Sequence, residues 1–239
     1  MRNKVRRLIL IVVLLGATPL GWSMVFAGVL PAEADGFSVS ELSDSVFALM
    51  EGKSYAKGCT TARSELRYLR VLHYDEQGKV QTGELVCNKA IAQDLIDIFR
   101  ELYRQHYVIA RMQLIDHYDA DDQKSMTANN TSCFNFRFVS GTKTVSKHGR
   151  GMAIDINPLY NPYVRQRNGK TIVEPLAGQP YASNRDTLKK QGKLKKQGSL
   201  KGASQIIDRN DLCYSLFIQH GFRWGGAWRS SKDYQHFEK

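Results

Sequence analysis

The chain has 239 residues, 42% of them hydrophobic and 10% aromatic, and its formal net charge is +11. This composition is enough for a real hydrophobic core, so disorder throughout the chain is excluded. The positive charge suits an anionic polymer as partner, but a nucleic acid is not expected, because no aromatic-interleaved basic motif and no recognition helix is found.

The first 34 residues have the pattern of an export segment. Four cations in MRNKVRR precede a long apolar stretch, which ends at Ala32, Glu33 and Ala34 in the small-x-small pattern of a signal peptidase site. The apolar stretch is long for a cleaved signal, so an uncleaved membrane anchor is the alternative and the only expected link to a membrane. In both cases we expect the rest of the chain outside the cytoplasm, in the periplasm or cell envelope, as a monomer.

Residues 35–64 are predicted to be a lead-in with one short helix in SELSDSVFALM, and residues 65–239 a single domain. RYLRVLHY and VQTGELVC alternate like two strands around the turn DEQGK. A helix capped by Asn88 is expected to run to about Tyr107, with apolar positions at three- and four-residue steps. ARMQLIDHY, FNFRFV and MAIDIN are predicted as further strands, and DADDQKSMTANNTS as a polar loop.

Residues 158–204 are predicted to be a long irregular excursion, acting as a lid or a tether, since such long segments in compact domains usually have a function. Its densest basic part, KKQGKLKKQGSLK, is expected to be a solvated loop, with attraction to a wall polymer as the alternative. A last helix is expected from Asp208 to His220, with Gly221 as a left-handed cap. Strands and helices mix without regular βαβ alternation, which predicts an α+β fold with a mainly antiparallel sheet and flanking helices.

Four cysteines are present, Cys59, Cys87, Cys133 and Cys213. Disulfides can form outside the cytoplasm, and four cysteines allow three pairings, among which the sequence does not choose. Buried free thiols are the alternative for Cys133 and Cys213, whose neighbours are apolar. No CxxC spacing of a thiolate zinc site occurs, and no cysteine has the local context of a nucleophile.

Two short motifs supply residues for a metal site. SKHGRGMAIDIN contains His148 and Asp155, and DYQH contains Asp233 and His236, three residues apart. A catalytic zinc site takes three N or O ligands and leaves a position for water, which fits His148, Asp155 and His236. Zinc acidifies water, and a nearby carboxylate can pass the proton to a leaving amine, which is the role expected of Asp233.

The spacing within the first motif requires a bend. His148 and Asp155 are seven residues apart, so a regular strand would place them on opposite faces. Gly149 and Gly151 permit a turn or bulge that brings both side chains to one centre. Each histidine alone is more often a surface or hydrogen-bonded residue, so the hypothesis depends on the set of four.

These motifs carry a family resemblance. SKHGRGMAID matches the SxHxxGxAxD motif and DYQHF the D/ExxH motif of the zinc D-Ala-D-Ala and L-Ala-D-Glu peptidases, which cut bacterial wall peptides. The chain resembles this family over roughly residues 65–239, including LRYLRVLHYDEQGKVQTGELVCN, SMTANNTSCFNFR, AIDINPLYNPYV and WGGAWRSSKDYQHFE. The resemblance implies a hedgehog/D-Ala-D-Ala peptidase-like fold and one zinc ion. It also makes His148, Asp155 and His236 the zinc ligands and Asp233 the general base.

Five further residues are candidates. The resemblance implies a transition-state arginine at Arg137, whose guanidinium can bind an oxyanion, and an ion-paired surface arginine is the alternative. Ser146 is expected to hydrogen-bond the site or substrate, or to form a turn. Trp224, Trp228 and Tyr234 suit the walls of a substrate groove, although such aromatic residues are more often packing residues.

Two positions bear on the activity. WGGAW has Ala227 where the family branch commonly has Asp, and Asp233 stands where the dipeptidases carry Glu, which fits an L-Ala-D-Glu endopeptidase better. We therefore expect a zinc metallopeptidase that hydrolyses an amide bond in peptidoglycan stem peptides, most similar to an L-Ala-D-Glu endopeptidase. A D-Ala-D-Ala carboxypeptidase is the alternative among enzymes, and a non-catalytic, zinc-stabilised wall-binding module is the alternative of another class.

Overall fold

The computed structural model describes residues 36–139, 141–193, 195 and 201–239. The predicted export segment and much of the basic stretch after Lys193 lie outside the described residues. The described part is α+β, with small antiparallel sheets and few helices. Within these ranges, no helix combines the length and the apolar composition that crossing a membrane requires.

The first sheet is antiparallel and has the strand order β1-β2-β3. Its strands are β1 (Ser38–Ser40), β2 (Leu66–Tyr74) and β3 (Val80–Asn88). β2 and β3 pair along their whole length, as the alternation of the two segments predicts. Because β1 pairs with β2, the predicted lead-in contributes one strand to the same sheet. The expected short helix of the lead-in is α1 (Asp44–Met50).

Helix α2 spans Ala92–Arg104, so the prediction of a start at Asn88 and an end near Tyr107 was too long. Asn88 is the last residue of β3, and its side chain accepts a hydrogen bond from the backbone N–H of Ala90, before the helix begins. The predicted apolar face is correct, and its buried side chains pack on β2. These side chains are Leu95, Ile98, Phe99 and Leu102.

The first turn of α2 is hydrogen-bonded to residues near the end of the chain. Asp94 accepts hydrogen bonds from Lys239 Nζ at 2.8 Å and from His220 Nδ1 at 3.1 Å. Partial burial acts to raise the pKa of Asp94, but these two partners outweigh it and lower the pKa below the ordinary value. The contact therefore anchors the last strand, which carries part of the candidate site.

The segment after α2 differs from the prediction. ARMQLIDHY contains only the two-residue strand β4 (Arg111–Met112), which pairs in parallel with β5 (Asn130–Thr131), and then a 3₁₀ helix over Ile115–Tyr118. The predicted polar loop contains α3 (Asp122–Thr127). Asp121 caps this helix, because its side chain accepts hydrogen bonds from two backbone N–H groups of the first turn.

FNFRFV was predicted to be a strand, and this prediction was wrong. The backbone N–H of Phe134 donates to Val86, that of Phe136 donates to Ser54, and Phe138 makes only an isolated bridge. The segment therefore takes partners from separate parts of the chain rather than from one neighbouring strand. Burial does not alternate along the segment either, since Phe134, Asn135 and Phe136 are all buried and Phe138 is 51% exposed.

The excursion over residues 158–204 is more regular than predicted. It contains the hairpin β7 (Tyr163–Arg167) and β8 (Lys170–Glu174), a 3₁₀ helix and α4 (Arg185–Lys193). Asn168 and Gly169 both have positive φ at the hairpin turn, which is the strong Asn-Gly turn signal that the sequence reading missed.

Helix α4 also corrects the prediction of a solvated basic loop. The Lys189 side chain is buried and donates hydrogen bonds to Asp208 at 2.9 Å and Asp211 at 2.8 Å. These ion pairs hold α4 against the segment that leads into the last helix. The basic stretch is therefore partly structural where it is described.

Two further antiparallel sheets complete the fold. One has the order β10-β7-β8, where β10 spans Ser231–Asp233. The other has the order β6-β11-β9, with β6 at Ala153–Asp155, β11 at His236–Glu238 and β9 at Arg223–Trp224. The predicted fifth strand is thus shorter than MAIDIN. Helix α5 (Leu212–Gln219) lies within the predicted last helix and is followed by Gly221 with φ of +80°.

The main core lies between the first sheet, α2, α5 and the β6-β11-β9 sheet, and Phe99, Ile154, Phe217 and Phe237 are buried in it. All four cysteines are free thiols, so the alternative of buried free thiols holds for Cys133 and Cys213. Burial raises the pKa of both thiols well above the ordinary value, which makes them poor nucleophiles.

Candidate metal centre

Three side chains from the two motifs converge on one point. His148 Nε2 lies 3.3 Å from Asp155 Oδ2, and His236 Nδ1 lies 3.1 Å from Asp155 Oδ1. The two imidazole nitrogens are 3.1 Å apart. The three donor atoms all lie within 4.8 Å of one another, so one ion can be held by all of them.

The strand register brings Asp155 and His236 together. Asp155 ends β6, His236 begins β11, and the two residues pair directly in the antiparallel ladder. Directly opposed residues of such a pair project from the same face of the sheet. Both side chains therefore reach the same point.

A tight turn brings His148 to that point. His148 begins a short 3₁₀ helix that ends at Gly151, which has φ of +66°. A Cβ atom on Gly151 would lie 2.6 Å from the backbone nitrogen of Asn88, so glycine is needed for both the conformation and the close approach. The bend that the spacing of the motif requires is thus provided at Gly151.

A hydrogen bond to one nitrogen of each imidazole ring determines which ring nitrogen is left to bind a metal ion. His148 Nδ1 lies 2.7 Å from the carbonyl oxygen of Cys133 and donates its proton there, which leaves the lone pair on Nε2. His236 Nε2 lies 3.4 Å from Glu238 Oε2, which leaves Nδ1 facing the centre. Arg223 holds the other oxygen of Glu238 at 2.7 Å.

Glu238 is a site residue that the sequence reasoning missed. It follows His236 by two positions, and residues two apart on a strand share a face. That spacing in HFE was the available signal.

The charges of the three residues are strongly coupled. Burial acts to raise the pKa of Asp155, but the neighbouring imidazoles outweigh it and lower the pKa well below the ordinary value. Burial acts to lower the pKa of His236, but the hydrogen bonds to Asp155 and Glu238 raise it to about 10. In the absence of an ion, the centre thus stabilises a carboxylate beside a protonated imidazole.

Asp233 lies beside this centre. It ends β10, and only Tyr234 and Gln235 separate it from His236 on β11. Its Oδ1 atom is buried and finds no hydrogen-bond partner among the described residues. Burial, helped by the negative charge of Asp155, raises the pKa of Asp233 to about 6, against the opposing effect of His236. A carboxylate with such a pKa can accept and return a proton near neutral pH.

A cavity of about 380 Å³ opens at the centre and is lined by all four of these residues. Its lining also includes Arg137, Ser146, Tyr163, Glu174 and Trp228. A larger cavity of about 590 Å³ lies elsewhere and is lined by none of the four residues. The smaller cavity is therefore the one through which a substrate would reach the candidate metal centre.

Arg137 forms the ion pair that was the alternative expectation from the sequence, and it also lines the cavity. Its Nε atom forms an ion pair with Asp122 Oδ2 at 2.8 Å. Asn135 donates a hydrogen bond to the other oxygen of Asp122, which fixes the carboxylate. The Nη1 atom of Arg137 is buried and has no hydrogen-bond partner among the described residues, although Arg137 lines the cavity.

The other candidates divide between the two cavities. Ser146 lines the smaller cavity, and its Oγ accepts a hydrogen bond from the backbone N–H of Gly149 at 2.9 Å, so it also shapes the turn of the motif. Trp228 lines the same cavity, with its ring 5.4 Å from that of His236. Trp224 and Tyr234 line the larger cavity instead.

Trp224 and Tyr234 act mainly as packing residues. Trp224 is 7% exposed, and its indole N–H donates to the carbonyl oxygen of Tyr234 at 2.9 Å. The Tyr234 ring is covered by the guanidinium of Arg185 at 3.8 Å. The structure therefore places neither ring in the wall of the cavity at the metal centre.

Residues 140–239 match a family model described as D-alanyl-D-alanine carboxypeptidase. The matched stretch contains both motifs, and the resemblance to the wall peptidases is thereby confirmed. Among curated proteins and among solved structures, nothing matches the chain significantly.

Proposed function

We propose that the chain binds one zinc ion and cleaves an amide bond in the stem peptides of peptidoglycan. The match of residues 140–239 to the D-alanyl-D-alanine carboxypeptidase family supports a metallopeptidase that acts on peptidoglycan peptides. The observation that carries the proposal is the convergence of His148, Asp155 and His236 beside the buried, unpartnered oxygen of Asp233.

The donor set fits zinc. Two imidazole nitrogens and one carboxylate oxygen form a typical ligand set of a catalytic zinc site, and outer hydrogen bonds orient both rings as such sites require. A bound zinc ion supplies Lewis-acid chemistry, since it acidifies water and polarises a carbonyl oxygen.

Side chains of the protein supply the remaining chemistry. Asp233 takes the proton of the attacking water and returns it to the amine that leaves, because it lines the cavity at the centre and its pKa is raised. The guanidinium of Arg137, which lines the same cavity, binds the oxyanion that develops on the carbonyl oxygen. Asp122 and Asn135 keep this guanidinium in place.

The bond that we propose is the one between L-Ala and D-Glu, because Asp233 replaces the Glu of the related dipeptidases. Cleavage of the terminal D-Ala is the second candidate, which the description of the matching family favours. We propose that the chain acts outside the cytoplasm, as its similarity to wall peptidases suggests, and that it is a monomer with a hedgehog-like arrangement of the peptidase domain. A zinc-stabilised module that binds wall without cleaving it is the remaining alternative.

Defined stem peptides, digested with the zinc-loaded protein and analysed by mass spectrometry, test the proposal. Loss of the L-Ala-D-Glu bond supports the first candidate, and release of D-Ala alone supports the second. Asp233→Asn should lower kcat by about 10²–10⁴-fold while zinc still binds. Asp97→Asn, which removes an exposed carboxylate of α2, is the matched control and should keep full activity. If the wild type binds wall but cleaves no peptide, the binding module is correct.

A further inference from the structure

Three polar side chains that line the cavity lie in a row across neighbouring strands. In the β10-β7-β8 sheet, Asp233 pairs with Tyr163, and Tyr163 pairs with Glu174. Directly opposed residues of antiparallel strands share a face, and all three residues line the cavity. The row therefore leads from the proposed base, across the phenol ring, to a second carboxylate.

The spacing of the strands gives the distance between Asp233 and Glu174. Neighbouring strands lie about 4.8 Å apart, so the backbone of Glu174 is two spacings, or about 10 Å, from that of Asp233. Two to three residues of an extended peptide span such a distance at about 3.3 Å per residue. Glu174 thus lies where a peptide held at Asp233 would place a group away from the bond that is cut.

Apart from the proposed base Asp233, Glu174 differs from the other carboxylates of the cavity in its partners. Asp155 faces the two imidazoles, Asp122 is held by Arg137 and Asn135, and Glu238 is held between His236 and Arg223. Each of these three carboxylates has both of its oxygens engaged.

The partner of Glu174 is Arg165, whose Nη2 approaches only Oε1, at 3.3 Å. No other hydrogen bond to the Glu174 side chain occurs among the described residues, and that side chain is 34% exposed. Ion pairs with such exposure are weak and exchange readily with other charged groups. Glu174 lines the cavity and Arg165 does not, so the carboxylate is the member of this ion pair that the substrate space reaches.

Resting on the proposed function, we propose that Glu174 binds an ammonium group of the peptide substrate. An ammonium donates to the oxygen of the carboxylate that Arg165 leaves free. Either a free side-chain amine of a diamino acid residue or a free N-terminal amine supplies this chemistry. The residue would then determine which stem peptides are accepted, without taking part in the bond cleavage.

The test measures binding rather than turnover, so that it does not depend on the proposed activity. The zinc-loaded full chain with Asp233→Asn is titrated with four peptides of one sequence in an isothermal calorimeter. The peptides carry lysine or norleucine at the third position and a free or acetylated N-terminus. We expect Glu174 to raise the affinity for peptides that carry one of the two amines by about fivefold, as expected for a partly exposed ion pair. The peptide that shows the preference identifies the source of the ammonium.

Two further variants separate recognition from a structural role. Glu174→Gln should abolish the preference, and Arg165→Gln should increase it, because the carboxylate loses its competing partner. If the pair only stabilised the hairpin, both changes would act in the same direction. Glu51→Gln, at an exposed position outside the cavity, is the control and should bind as the parent does.

Equal affinities for all four peptides, absence of binding, or a preference that survives Glu174→Gln would each overturn the proposal. If the proposed function is wrong, the result is different: the protein that retains Asp233 leaves stem peptides intact. A peptide preference that depends on Glu174 supports the proposal in either case.

Discussion

Phe237 links the stability of the core to the metal centre. It lies between His236 and Glu238 on β11, and because side chains alternate along a strand, it points into the core while its two neighbours face the site. Its side chain is fully buried, and its ring stacks on Phe217 with the centroids 4.3 Å apart. We therefore expect Phe237→Ala to loosen the strand that presents a metal ligand.

The magnitude follows from the burial. Replacement of a buried Phe by Ala costs about 3–5 kcal/mol, and an aromatic pair adds about 0.5–1.5 kcal/mol beyond burial. Because Phe237 has both features, we expect the free energy of unfolding to fall by about 4–5 kcal/mol, in the upper part of the first range. Urea unfolding followed by tryptophan fluorescence measures this change.

A control of the same residue type is available. Phe138 is 51% exposed and its ring meets that of Phe136 edge-on at 5.7 Å, so Phe138→Ala should lower the free energy of unfolding by only about 1 kcal/mol. Zinc affinity, measured below the unfolding transition, should fall for Phe237→Ala. Equal losses of stability for the two variants would refute the assignment of Phe237 to the core that supports β11.

Three further predictions concern charge and backbone. Because the pKa of His236 is raised to about 10, zinc must displace its proton, so zinc affinity should rise about tenfold per pH unit between pH 7 and 9. Calorimetry in buffers of different ionisation enthalpy counts the released proton, and a count of zero would contradict this. The lowered pKa of Asp94 gives stability that is present above about pH 4 and lost as the pH falls through the folded-state value. Asp94→Asn should therefore be less stable than the wild type at pH 7 but not at pH 2, and a difference that persists in acid would be inconsistent with this. Gly151→Ala should cost about 1–2 kcal/mol for its positive φ and more for its contact with Asn88, whereas Gly78→Ala, with positive φ in open space, should cost only the first part. Equal costs in urea unfolding would show that the close contact is unimportant.

Local patterns in the sequence were sufficient for several elements. Alternation in RYLRVLHY and VQTGELVC predicts the β2-β3 hairpin, and the three- and four-residue spacing predicts the buried face of α2, because both patterns follow from the geometry of one element. The candidate ligands His148, Asp155 and His236 were also named from the sequence, since two motifs with metal-binding residue types stand in one chain. The motifs did not specify how these residues are arranged in space, but they limited the candidate ligands to a few positions.

Only the tertiary structure decided how distant segments meet. FNFRFV alternates like a strand, yet its backbone takes partners from separate segments. Trp228 lines the cavity at the metal centre and Trp224 does not, although both belong to one short aromatic stretch. Glu174 faces that cavity because β8 pairs with β7 in a particular register. Alternation assigns a side chain to one face of its strand, but which groups lie opposite depends on pairing with residues far away in the chain, and no local pattern specifies that pairing.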